Sequence, residues 1–296
     1  MDLERRFGSE QACRDYLFRL RWPNGFMCPR CGGVSAHRLQ RGLWWCRHCR
    51  YQASVTAGTI FQDTRLPLTV WFRAVWLVTS QKQGASALGV QRTLGLGSYK
   101  TAWAMLHKLR RAMVRPGRDR LAGRIEVDET YWGGQEEGVI GRRVQDKALL
   151  LVAAQEDGKG IGRIRLRRVP DLTRATLHGF IAESIEAGSV VVTDGLRAYG
   201  GMKGYQHQPR IIKDSGQTAD SLLPRVHRVV SLLKRWLLGT HQGAVGQDHL
   251  DYYLDEFTFR FNRRTSASRG KLFYRLLQHA VQVGPTPFHT LLHPNG

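Results

Sequence analysis

The chain has 296 residues, with 45 lysines and arginines against 24 aspartates and glutamates and a formal net charge of +21. That length allows about two domains with cores of ordinary size, and the surplus charge implies a polyanion as the usual partner, DNA first, with ribosomal or membrane-surface binding as competitors. No apolar run approaches the roughly 20 residues that cross a bilayer, and the first residues lack a signal-peptide core, so the expectation is a cytoplasmic protein with no membrane partner.

Residues 8–20 predict a short helix capped by Ser9, with Cys13, Leu17 and Leu20 on one side and Cys13 a small core residue. The other four cysteines form two CxxC pairs, Cys28 with Cys31 and Cys46 with Cys49, fourteen residues apart. Each pair makes a tight knuckle that aims two thiolates at one point. Four thiolates complete a tetrahedral Zn2+ with no open position, so such a site folds a small ribbon and does not catalyse. Free thiols or a redox pair are the alternative; His37 and His48 read as exposed polar residues. Arg30, Arg38, Arg41, Arg47 and Arg50 lie around the pairs and are expected to face phosphates.

From Leu66 to Gln83 the residues Leu68, Trp71, Phe72, Val75, Trp76 and Val78 predict a buried helix. Gly84 to Met113 reads as helix, turn, helix, broken at Gly95 and Gly97 and restarted at a Ser98 cap. The second helix carries Tyr99, Lys100, Lys108, Arg110 and Arg111; as a DNA reader it would enter the major groove, and the alternative is a plain core hairpin of helices. Pro116 to Arg124 is a basic, turn-rich linker and a domain boundary.

Beyond the linker, GRIEVDETYWGG (123–134) alternates like a short strand that delivers Asp128 at its far end. The alternation sends Glu126 to the same side as Asp128 and Glu129 to the other, and either acid is placed behind the first one. Tyr131 and Trp132 are read as packing residues. Residues 147–154 and 162–169 predict two more strands and 171–187 a helix; Val190 to Val192 then lead into Asp194, again before a glycine. Either aspartate alone is the kind of turn residue that bonds its own backbone. Together, two carboxylates at strand ends, joined by a ligand from a helix, can hold a pair of divalent cations for phosphoryl transfer on DNA. The helix is Ser221 to Leu238, where His227 and Lys234 stand seven residues apart on one face. A last helix places Tyr252, Tyr253, Phe257 and Phe261 on its core side and ends at Asn262, Arg263 and Arg264, either a DNA clamp or a solvated face. The order of elements describes a mixed α/β sheet with helices packed on it.

CPRC and CRHC, AGTIFQDTRLPLTVWF, LGLGSYKTAWAMLHKLRRAM, IEVDETYWGG, VVTDG, SLLKRWLLGTH and YYLDEFTFRFNRR follow one another over nearly all of residues 9–280. In this order the chain resembles the bacterial insertion-sequence transposases of the DDE superfamily that carry an N-terminal zinc ribbon. The resemblance implies an RNase H-like catalytic core, with Asp128 and Asp194 as the first two metal-binding acids. It puts His227 where relatives have glutamate or asparagine, with Lys234 as the lysine seven residues on. Imidazole is a softer ligand than carboxylate and suits Mn2+ better than Mg2+, the two ions implied. His227 is either a ligand or a helix-surface histidine beside the cut, and Asp220 and Glu256 are rival third carboxylates.

The resulting domains are 1–60, an N-terminal helix and zinc ribbon; 61–116, the helix-turn-helix segment; 117–285, the catalytic domain; and 286–296, a tail. The implied function is binding of terminal inverted repeats, metal-dependent cleavage that exposes a 3′ hydroxyl, and its joining to target DNA by at least a dimer. Arg47, Arg50, Tyr99, Lys100, Lys108, Arg110, Arg111 and Lys234 are the residues expected on double-stranded DNA. A DNA-binding descendant that no longer cuts is the alternative, kept open by the missing third carboxylate; a purely structural nucleic-acid protein is a third reading.

Overall fold

The structure, a computed structural model, describes residues 2–114, 117–133, 147–211 and 219–292, the side chains of 219 and 220 excepted. Pro116, Gly134 and the Asp220 side chain lie outside the described residues. The chain forms two compact units, Met1–Arg115 with Ser266–Gly296, and Pro116–Thr265. Among the described residues no helix is long and apolar enough to cross a membrane.

The first unit opens with α1 (Leu3–Phe7) and α2 (Glu10–Arg21). The Ser9 hydroxyl accepts the Ala12 N–H at 3.2 Å, and Cys13, Tyr16, Leu17 and Leu20 form the buried stripe. Three short antiparallel strands follow in the order β1 (Ala36–Arg38), β2 (Trp44–Cys46), β3 (Gln52–Ala53). Helix α3 (Leu68–Ser80) starts at Pro67 without a cap of its own; the Glu10 carboxylate of α2 accepts the Thr69 N–H at 3.0 Å instead. Helices α4 (Ala87–Leu94) and α5 (Tyr99–Arg111) form the expected hairpin. Ser86 and Ser98 cap them, and Gly95 ends α4 at φ 63°, where a glycine carries no Cβ penalty.

The second unit contains β4 (Arg124–Trp132), β5 (Ala148–Asp157), β6 (Gly160–Val169), α6 (Arg174–Ser184), β7 (Val190–Thr193), β8 (Gln206–Pro209), α7 (Ala219–Leu222), α8 (Pro224–His241) and α9 (Leu250–Phe261). Its sheet runs β6-β5-β4-β7-β8; β5 is antiparallel to both neighbours, and β4, β7 and β8 are parallel. Counted within the unit the order is 3-2-1-4-5 with the second strand alone reversed, which is the RNase H-like arrangement. Strands β5 and β6 run past their expected ends, because their ladder continues to Asp157 opposite Gly160. Polar Glu156 and Asp157 lie near the turn, where a strand need not alternate.

Alternation along β4 splits the unit into two cores. Trp132 joins Val226, Val229, Leu233, Tyr253 and Phe257 of α8 and α9 on one face. Ile125 and Val127 join Leu177, Phe180 and Ile181 of α6 on the other. Strand β6 is an edge, and Asn262 finishes it: its side-chain oxygen accepts the Ile164 N–H at 2.7 Å, and its amide donates to the Ile164 carbonyl at 3.2 Å. Arg264 lies over the Phe261 ring at 4.0 Å and donates to the Gly162 and Ile161 carbonyls; Arg263 covers the Phe259 ring at 4.1 Å. The end of α9 thus reaches β6, with Arg263 half-buried and Arg264 exposed. It seals an edge strand that would otherwise present open backbone.

After Thr265 the chain returns to the first unit as α10 (Arg269–Ala280) and α11 (Phe288–Leu292). The expectation that the second domain continues to residue 285 misses this return. Helix α10 puts Phe273 against Phe7 and Phe72, ring centroids 5.5 and 5.7 Å away, and such apolar packing, unlike a linker, leaves no compositional break to read. Replacing Asn262 with Ala leaves both backbone groups of buried Ile164 without these bonds and is expected to lower stability by about 1–3 kcal/mol. Urea melts check this; an unchanged midpoint counts against the edge-sealing role.

Candidate metal centres

The two CxxC knuckles have the same backbone. The Gly32 N–H returns to the Cys28 carbonyl at 2.9 Å and the Arg50 N–H to the Cys46 carbonyl at 3.0 Å, with φ 73° at Gly32 and 60° at Arg50. Arg50 thus holds a left-handed conformation that glycine supplies in the other knuckle. The four sulfurs lie within 4.8 Å of one another, with Cys28 to Cys49 at 3.6 Å and Cys31 to Cys46 at 3.7 Å. Sulfurs bound to one zinc at about 2.3 Å stand about 3.8 Å apart in a tetrahedron, so the set fits that ion with little movement. A Cβ added at Gly33 would meet the sulfurs of Cys31 and Cys46 at 3.3 and 3.6 Å, so a larger residue here would crowd the site. Cys13 stands apart, buried in α2.

The second cluster is acidic. Parallel pairing of β4 with β7 reaches Glu126 opposite Val192, and two residues further on each strand stand Asp128 and Asp194. Carboxylate oxygens of Asp128, Glu129 and Asp194 all lie within 4.8 Å of one another. Both aspartates are also turn-type acceptors, Asp128 for the Glu129 N–H at 2.9 Å and Asp194 for the Leu196 N–H at 3.0 Å. His227, in the first turn of α8, brings Nε2 to 3.6 Å from Asp128 Oδ2. Ligands of an octahedral ion with bonds of about 2.1 Å are about 3.0 Å apart when adjacent and 4.2 Å when opposite. The His227–Asp128 spacing falls between these values, while the group of ligand atoms that all lie within 4.8 Å of one another comprises the three carboxylates without His227.

Glu129 was read as pointing away from Asp128, and along the strand it does: it lies on the α6 face, where the Tyr199 hydroxyl donates to it at 3.4 Å. Its longer side chain still reaches the acids, since β7 pairing has already stopped. Asp128 and Glu129 stand in mid-strand, not at the far end expected from the sequence, where β4 has lost its β7 partner, and the adjacent DE pair was the signal for Glu129. Burial, then the charges of Glu129, Asp128 and Asp194, push the Tyr199 hydroxyl far above its ordinary range, so it stays a neutral donor. Glu126 does lie on the Asp128 side, buried at the start of α8. Glu256 is buried in α9 and is not in the cluster. Lys234 is two turns beyond His227, about 10 Å along the axis; burial, and then the charge of Lys147, hold it below the usual lysine range. Trp132 packs in the core, its indole N–H on the Val245 carbonyl at 3.3 Å.

Residues 120–262 match the ISXO2-like transposase domain and residues 8–52 a transposase zinc-ribbon domain. The chain belongs to the insertion-sequence transposases with an N-terminal zinc ribbon. It is 28% identical over 286 residues to an uncharacterized protein in transposable element ISH50 of Halobacterium salinarum, covering 86% of this chain and 91% of the relative. That relative is archaeal, so the family extends beyond the bacteria of the resemblance. Among solved structures, the Mos1 strand transfer complex aligns over 71% of this chain and 75% of that one at 10% identity. A pre-cleavage Mos1 transpososome aligns over 73% and 79% at 11% identity; the TM-score is 0.29 in both cases. The fold assignment rests on the strand order and not on this likeness.

In this transposase-family chain the residues expected on DNA divide by exposure. Arg47, Arg50, Tyr99 and Lys100 are exposed, while Lys108, Arg111 and Lys234 are half-buried. Arg110 is 1% exposed, its guanidinium 3.4 Å from the ring of buried His107, so it is withdrawn as a DNA contact. Helical spacing puts it on the same side as Leu106 and Leu109, which the reading by charge alone ignored. Arg38 pairs with Asp15 at 3.0 Å and Arg41 with Gln52, which ties these two arginines to the ribbon and α2. Metal analysis of reduced protein is expected to give about one zinc per chain. Finding none, with the ribbon still folded, would remove the zinc from this account.

Proposed function

We propose that the protein is a DNA transposase that binds the terminal inverted repeats of its element, cleaves DNA there to expose a 3′ hydroxyl, and joins that end to target DNA. The observation that carries the reading is the meeting of the Asp128, Glu129 and Asp194 carboxylates where β4 outruns β7, with His227 of α8 alongside. Asp128 and Asp194 would hold divalent metal, Mg2+ or Mn2+, with His227 or Glu129 completing the set. Metal bound there would activate the attacking oxygen and stabilise the leaving one. The residues' own work is positional. Strands fix the two aspartates in register, α8 brings the imidazole, and Lys234 and Lys147 offer positive charge to phosphates beside the cut. Exposed Arg47, Arg50, Tyr99 and Lys100 would bind the duplex, and two ends would be brought together by at least two copies.

The non-cutting binder was kept open by the missing third carboxylate; the nearness of the Glu129 carboxylate to both aspartates supports the cutting reading. Strand transfer on labelled DNA carrying the ends that flank this gene separates the readings. Asp128→Ala and Asp194→Ala are expected to lower product at least about a hundredfold, more than loss of a residue behind the ligands. His227→Ala and Glu129→Gln compared in Mg2+ and Mn2+ then decide which residue completes the set. No product from the wild type in either metal, with end binding intact, would favour the binder.

The +21 charge supports electrostatic association. Affinity for duplex DNA is expected to fall by about a thousandfold between 50 and 200 mM salt if roughly six phosphates are neutralised. Affinity flat over that range would exclude the electrostatic account.

A further inference from the structure

Helix α8 has an N-terminus that its own sequence cannot satisfy. Leu223 stands at the cap position with no side-chain acceptor, and Pro224, the first helical residue, has no N–H to offer. The first intrahelical bond is that of the His227 N–H to the Leu223 carbonyl at 3.1 Å. The remaining amides, Arg225 and Val226, both donate to the Glu126 carboxylate, at 2.7 and 3.0 Å. Glu126 is 4% exposed, so these bonds replace solvent and do not compete with it.

The guanidinium of Arg225 completes the joint. It donates to Glu126 at 3.0 Å, to the Gly160 and Gly158 carbonyls at 3.1 Å each, and meets Glu156 at 3.0 Å. One carboxylate thus fastens the start of α8 to the first half of β4, and one arginine fastens both to the turn between β5 and β6. Glu126 precedes Asp128 by two residues on the same strand face, and Val226 immediately precedes His227. The 3.6 Å approach of His227 to Asp128 is the next contact along the same seam.

We infer that Glu126 is a positioning residue for the metal site: its carboxylate holds α8 on β4 and so fixes where the His227 ring stands relative to Asp128 and Asp194. This rests on the reading of Asp128, Asp194 and His227 as metal ligands. A helix cap that served stability alone would be satisfied by any acceptor from the preceding loop. Here the acceptor comes from the strand that carries the first acid.

The test is Mn2+ binding to the full chain, followed by calorimetric titration and by the Mn2+ electron paramagnetic resonance signal, without DNA. Wild type is compared with Glu126→Gln, His227→Ala and the double variant, each also melted; Asp128→Ala is the control for the site. Glu126→Gln keeps the shape and one acceptor, and is expected to weaken Mn2+ about tenfold, as loss of a group that orients a ligand does. In the His227→Ala background the same change is expected to have no further effect on binding. A lower melting temperature with unchanged Mn2+ affinity would reduce Glu126 to a stabilising cap and overturn the inference. Equal losses in both backgrounds would overturn it too, since Glu126 would then act without His227. If Glu126→Gln does not fold, Glu126→Asp, which shortens the joint by one methylene, carries the same expectations. Wild type that shows no Asp128-dependent Mn2+ binding would instead sink the metal-site reading itself, and the positioning role with it.

Discussion

The parallel pairing of β4 with β7 is the constraint on which the second unit depends. It stops at Glu126 opposite Val192 while β4 continues to Trp132, paired only with β5. That mismatch in length opens a notch at one strand edge. Asp128 flanks it on one side and Asp194 leaves β7 on the other, so two residues 66 positions apart in the chain meet without either strand bending. Had the pairing run two residues further, ladder bonds would occupy the space in which Glu129 swings round to join them. The acid cluster is thus a product of strand lengths, and the two apolar cores on either face keep those lengths fixed.

Three carboxylates this close repel one another, and nothing in packing requires them to be there. Such a local conflict, in an otherwise consistent fold, is characteristic of a functional site. Tyr199 is a neutral donor beneath Glu129, and His227 stands over Asp128, so the protein's own groups soften the repulsion without removing it. Zinc thiolates tell the opposite story in the first unit. There the two knuckles bring four sulfurs together, a complete set for one tetrahedral ion, which suits a structural role.

Much of this was legible in the sequence because it rests on local rules. Ser9 and Ser98 cap helices where hydroxyls precede apolar periodicity, the CxxC pairs announce knuckles, and Val190 to Val192 announce a buried strand that leads into Asp194. What was missed depends on residues far apart in the chain. Arg110 reads as a surface cation until its helical face is counted, and nothing local to Asn262 shows that it bonds the edge strand β6. Glu129 was placed behind Asp128 on the other face by a correct alternation rule, which gives the face a side chain leaves from and not how far it reaches once β7 has ended.

Both units use the same device where local capping fails. Helices α3 and α8 each begin at or beside a proline, which sets the backbone for a helix but supplies no acceptor for the amides that follow. Glu10 serves α3 from α2, and Glu126 serves α8 from β4. A cap borrowed from another element does more than a local one, since the helix can form its first turn only when correctly seated on its neighbour. For α3 this fixes packing alone. For α8 the next residue after the capped amides is His227, so the bond that starts the helix also sets where the imidazole stands beside the acid cluster.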